Sequence, residues 1–134
     1  MKIPEICFKT DLVFHRFYEC HAVIKSLAVE MYQWTVQNNC PLMITEAKTT
    51  KTEDDLLKRV SKTHQEGRAI DISYHGWTKE NADKFIAYFS HKYASVAAIT
   101  SGGPKLIVFH DAGTGNHFHV QIRPGLSALN SSSV

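Results

Sequence analysis

The sequence predicts an α+β domain, with two main helices packed on a mostly antiparallel sheet. Three observations carry this. Two stretches repeat apolar residues at helical spacing, several short stretches alternate or run apolar as strands do, and a Gly/Pro turn joins two of those strands as a hairpin would. With 134 residues, 43% hydrophobic and 21% charged, the chain is long enough for one domain with a real core, expected over about 18–123.

From Tyr18 to Asn39, the positions Val23, Leu27, Met31 and Trp34 form one helical stripe. Asn38-Asn39-Cys40-Pro41 ends that helix, because a residue before proline disfavours the helical region. Leu42–Thr45 reads as a short buried strand. Glu46–Val60 reads as a long loop, with one helical turn around Glu53–Leu57. Ala69–Tyr74 alternates: Ile70, Ile72 and Tyr74 share one face, and Asp71 points to the other. Thr78 caps a second helix whose stripe is Ala82, Phe85, Ile86, Phe89 and Tyr93. Val96–Thr100 and Leu106–His110 then read as an antiparallel hairpin around Ser101-Gly102-Gly103-Pro104. A turn over Asp111–Gly115 leads to a last strand, His117–Arg123. Its Phe118, Val120 and Ile122 face the core and leave His117 and His119 on the polar side. Residues 124–134 read as a frayed tail.

Bulk properties exclude several classes. A formal charge of +2 without a basic block argues against nucleic acid. No stretch reaches membrane-span length, and the N-terminus lacks the apolar region of a signal peptide, so the expected site of synthesis and residence is the cytoplasm. Cys7, Cys20 and Cys40 are odd in number and lack CxxC spacing, which points away from disulfides and thiolate zinc sites. Lys58, Arg59 and Lys62 cluster beside a histidine and read first as solvated surface.

The chemistry concentrates in His64, Asp71 and the pair His117/His119. Histidine and carboxylate ligands with an open position are the donor set of catalytic zinc. All of these residues lie on polar strand faces or in the loop feeding one, so they can converge on one side of the sheet. A histidine-based phosphoryl-transfer motif would need a further histidine where the chain has Gln121.

The spacing His64-x-x-Gly67-x-Ala69-x-Asp71 resembles the signature of the zinc peptidases that include D-alanyl-D-alanine carboxypeptidases and dipeptidases and phage L-alanyl-D-glutamate endopeptidases. The same fold houses murein endopeptidases and the hedgehog signalling domain. Gln65–Ile72 and Ile44-Thr45-Glu46 are similar to hedgehog, and Asn116–Val120 is similar to the murein endopeptidases. The resemblance implies a hedgehog-like fold, one zinc per chain held by His64, Asp71 and His119, and His117 beside the zinc-bound water as proton shuttle or transition-state donor. It implies a peptidoglycan peptide as substrate, in a cell-wall hydrolase or a phage endolysin kept in the cytoplasm until lysis. The alternative is a catalytically inactive zinc-binding domain with a binding or structural role.

The chain departs from the family at three points. Asn116 and Gly113 stand where relatives place a glutamate base, leaving His117 as the first candidate, with His110, Asp111 and Glu66 behind it. Lys48 or Lys51 stands in the segment where the peptidases carry an arginine. Of hedgehog's acidic calcium cluster only Glu46 is echoed, so calcium is not expected.

Overall fold

A computed structural model describes residues 2–111 and 115–127. The fold is α+β, with four helices, a four-stranded antiparallel sheet and a separate two-stranded ribbon. The helices are α1 (Asp11–Phe17), α2 (Ala22–Gln37), α3 (Lys51–Leu56) and α4 (Lys79–Lys92). The strands are β1 (Ile44–Glu46), β2 (Ala69–Ser73), β3 (Ala98–Thr100), β4 (Gly103–Lys105), β5 (Ile107–Asp111) and β6 (Asn116–Gln121). The main sheet runs β1-β2-β6-β5, and β3 pairs with β4.

One apolar cluster holds the layers together. Ile70 and Ile72 of β2 and Phe118 and Val120 of β6 are fully buried, as are Val23, Ile24 and Met31 of α2 and Phe85 of α4. Phe118 packs against Trp77 and Phe85 with ring centroids 4.8 and 5.2 Å away. The expected strand alternation is therefore what buries one face of the sheet and leaves the other for polar residues.

The N-terminal segment differs from expectation. Ile3, Cys7, Phe8 and Phe17 are buried, so the core begins well before residue 18. The helix expected over 18–39 is α2, which starts later, and an unexpected helix, α1, precedes it. The Thr10 side chain caps α1 by accepting from Val13 N, 3.1 Å, and His21 Nδ1 caps α2 by accepting from Val23 N, 3.0 Å. The break between them lets His21 N donate to Gly67 O, 2.9 Å, and ties the helix start to the loop that carries His64. Gly67 sits at φ +71°, and a Cβ there would lie 3.3 Å from Cys20 Cα; the glycine serves both the turn and this close approach.

The predicted turn near Glu53 is a full short helix, α3, closed by a reciprocal capping box between Thr50 and Glu53. The predicted hairpin also changes partners. Ser101-Gly102 makes a tight turn, so β3 pairs with Gly103–Lys105, with Thr100 opposite Gly103 and Ala98 opposite Lys105. β5 is released to pair with β6. The C-terminal end is anchored as far as it is described: Leu126 packs on the core and its carbonyl lies 2.9 Å from His21 Nε2. The rest of the expected tail, 128–134, and Gly113 lie outside the described residues. Among the described residues, no helix is long and apolar enough to cross a membrane.

Candidate metal centre

Strand register builds the polar face in rows. Asp71 of β2 stands opposite His119 of β6, which stands opposite Val108 of β5. The next row is Ser73, His117 and His110. On the other side of Asp71, β1 carries a one-residue irregularity between Ile44 and Glu46, so Glu46 rather than Thr45 stands opposite Asp71. A bulge of this kind re-aims a side chain to the other face. It brings Glu46 to the site.

His64 enters from the loop before β2. Thr49 N and Gly67 N both donate to its backbone carbonyl, 3.2 and 3.0 Å, and Arg68 N donates to Thr63 O, 2.7 Å. The side chain is buried at 5% exposure, with Nε2 3.1 Å from Asp71 Oδ1. His119 Nδ1 lies 2.9 Å from the same oxygen. Among the described residues these three form the one cluster of histidine, cysteine and carboxylate groups able to hold a metal, with ligand atoms all within 4.8 Å of one another.

The outer nitrogens decide what the inner ones must carry. His64 Nδ1 is 2.8 Å from Ala47 O, a pure acceptor, so that nitrogen holds a proton. His119 Nε2 is 3.1 Å from Gln121 Oε1. Both inner nitrogens then face a carboxylate oxygen, an arrangement stable only with a further proton on each ring or a cation between them. A divalent metal meets this demand with one ion. Tetrahedral zinc with bonds of about 2.0–2.1 Å places neighbouring donors roughly 3.3 Å apart. The 3.1 and 2.9 Å contacts to Asp71 Oδ1 are a small adjustment from that, and the two imidazole nitrogens lie within 4.8 Å of each other. The donor set fits zinc, and the carbonyl behind each imidazole is the outer shell that orients such ligands.

Charge follows geometry. Burial pushes the Asp71 carboxyl up, but hydrogen bonds from His119 and His64 outweigh it and hold the group far below the ordinary carboxylate range. Burial pulls the His64 imidazole down, yet the Asp71 carboxylate overrides this and raises it.

His117 lies beside the trio and not within it. Its Nε2 is 3.8 Å from Asp71 Oδ2, the oxygen the other two histidines leave free, and its ring packs on His110 with centroids 4.4 Å apart. These groups line an open cleft of about 510 Å³, together with Arg59, Ser61, Thr63, Thr100, Val108 and Gln121.

The cation in this cleft is Arg59, not the lysines expected there. Lys51 pairs with Asp55 on α3, and Lys48 lines a separate cleft beside α1 and α3. Arg59 is fixed by a two-pronged pair with Glu46 and reaches Asp54 at 3.4 Å. Glu66, an outside candidate for the base, pairs with Arg68 at 2.6 Å and does not line the cleft; nor does Asn116. The Asp111 side chain is outside the described residues.

Gln121, Arg59 and the placement of Glu46 were missed from sequence. Gln121 had a visible signal, since it continues the alternate row after His117 and His119. Comparison of the chain with family models, with curated proteins and with solved structures returned no match, and the reading of this centre rests on its own geometry.

Proposed function

We propose that the chain is a zinc-dependent peptidase of the D-alanyl-D-alanine-peptidase and hedgehog fold, cutting a peptide bond in the stem peptides or cross-links of bacterial peptidoglycan. Its setting would be that of a cell-wall hydrolase or phage endolysin, held in the cytoplasm and released at lysis. The observation that carries the proposal is the convergence of His64 Nε2 and His119 Nδ1 on Asp71 Oδ1 at the floor of an open cleft. A closed structural site would surround the metal with four protein ligands; three leave a position for chemistry.

His64, Asp71 and His119 would hold the zinc. When bound, zinc supplies Lewis acidity, lowering the pKa of a water and polarising a carbonyl. His117 then acts at Nε2, the nitrogen nearest Asp71, taking the proton of the attacking water and returning it to the leaving amine. Asp71 Oδ2, 3.8 Å from that nitrogen and too far to hold a proton on it, steadies the imidazolium that forms, and His110 packs on its ring. The hydroxyls of Ser61 and Thr63 line the cleft wall, while that of Thr100 donates to Gly103 O, 2.7 Å.

The test is cleavage of purified peptidoglycan, followed by the appearance of new amino groups. Zinc-loaded protein should release them, chelator should stop the release, and His117→Ala should slow it by about 100-fold or more while keeping its metal. Persistent inactivity of the zinc-loaded protein contradicts the peptidase reading.

One observation favours the second reading, a zinc domain without catalysis. Among the described residues lining the cleft, Asp71 is the sole carboxylate, and nearby Glu46 is held by Arg59. On that reading zinc stabilises the protein and His117→Ala changes no chemistry.

A further inference from the structure

Gln121 is buried at 7% exposure on the polar face of β6, and both ends of its amide are occupied. Its Nε2 donates to Lys105 O, 3.1 Å away on β4. A backbone carbonyl only accepts, so this contact settles which end of the amide is nitrogen. The oxygen must therefore be the atom facing His119 Nε2 at 3.1 Å. The glutamine backbone is fixed as well, its N–H donating to Leu106 O at 2.8 Å. Among the described residues, the other hydrogen-bonding group at His119 Nε2 is Thr63 Oγ1 at 3.4 Å, and a hydroxyl rotates to suit either role.

We infer that Gln121 is a positioning residue for the metal centre: clamped by the Lys105 carbonyl, it holds a proton on His119 Nε2 and so presents Nδ1 as the ligand atom. This rests on the metal reading proposed above and extends it to the β3–β4 ribbon, which supplies this carbonyl. Without the clamp the amide is free to flip and offer its NH₂ group to His119. That would favour a lone pair on Nε2 and a proton on Nδ1, the arrangement that opposes metal binding. The ribbon thus sets a tautomer at the metal centre through one side chain. His64 receives the same service from Ala47 O, with Glu46 Oε1 3.8 Å from the same nitrogen.

The experiment pairs zinc affinity, by chelator competition, with heteronuclear NMR of the histidine rings. Zinc-loaded wild type should show His119 bound through Nδ1 with a proton on Nε2. Gln121→Leu, of similar size but without an acceptor, should bind zinc about 10–100-fold more weakly. Circular dichroism should show it folded. An affinity within twofold of wild type, or His119 bound through Nε2, overturns the inference. The wild-type ring spectrum needs no variant, so a misfolded Gln121→Leu leaves the test standing. If wild type binds no zinc, the metal reading fails by itself. Gln121 is then judged on the metal-free ring: a protected proton on His119 Nε2 supports the clamp, and its absence overturns it.

Discussion

Asp71→Asn is expected to bind zinc at least about 100-fold more weakly than wild type, beyond the range typical of an outer-shell partner, while remaining folded. Asp71 is the group that both His64 and His119 address, through a single oxygen. Asparagine keeps the shape and still gives His64 and His119 hydrogen-bonding partners, but removes the negative charge the cation needs. Asp71→Ala should behave differently. It leaves His64, 5% exposed, without a partner for Nε2. Removing one member of a buried pair typically costs about 3–5 kcal/mol. Chelator competition reads the first effect and denaturant unfolding of the metal-free proteins reads the second. Equal zinc affinity in wild type and Asp71→Asn would remove Asp71 from the ligand set.

The second large effect is a reversal of pH dependence when zinc is added. Folding raises the pKa of His64, so its stabilisation is fully present below the unfolded value of about 6.5 and is lost as pH rises through the folded value. Folding lowers that of Asp71, so its contribution is present above about 3.9 and is lost as pH falls through its depressed folded value. The metal-free protein is therefore most stable where Asp71 is charged and His64 protonated, at mildly acidic pH, and weakens towards alkaline pH. Zinc has the opposite slope, because it needs the lone pair that a protonated His64 has given up. At a 100-fold excess over Kd, zinc should add about 2.7 kcal/mol. For a chain of this size that is on the order of 10 °C in Tm. Thermal melts with and without zinc across pH 5–9 measure both slopes (a range set by the histidine value). A zinc effect that is constant or shrinks with rising pH contradicts the ligand assignment.

What could be read in the sequence follows from period. A strand flips its side chains every residue, so Ile70 and Ile72 fixed the orientation of Asp71, and Phe118 and Val120 fixed those of His117 and His119. Where local pattern did not determine the outcome, the reading failed for definable reasons. β5 went to β6 because Ser101-Gly102 closes a tighter turn than the four-residue loop, Ser101-Gly102-Gly103-Pro104, that the composition suggests. The irregularity in β1 is a single added residue, and it moves Glu46 across the sheet without any change in composition. α1 left a trace in Thr10 followed by Val13, Phe14 and Phe17, and α3 left one in Thr50-x-x-Glu53. Arg59 looked like solvent-facing charge because its partner, Glu46, is distant in the chain. The roles of Ala47 O and Lys105 O had no sequence signature, because a backbone carbonyl has no residue type.

The central claim is that His64, Asp71 and His119 together hold one zinc ion. Elemental analysis of protein purified without chelator, alongside His119→Ala, tests it most directly. The account predicts about one zinc per chain in wild type and its loss in the variant. No zinc in either protein, even after incubation with the metal, would contradict it.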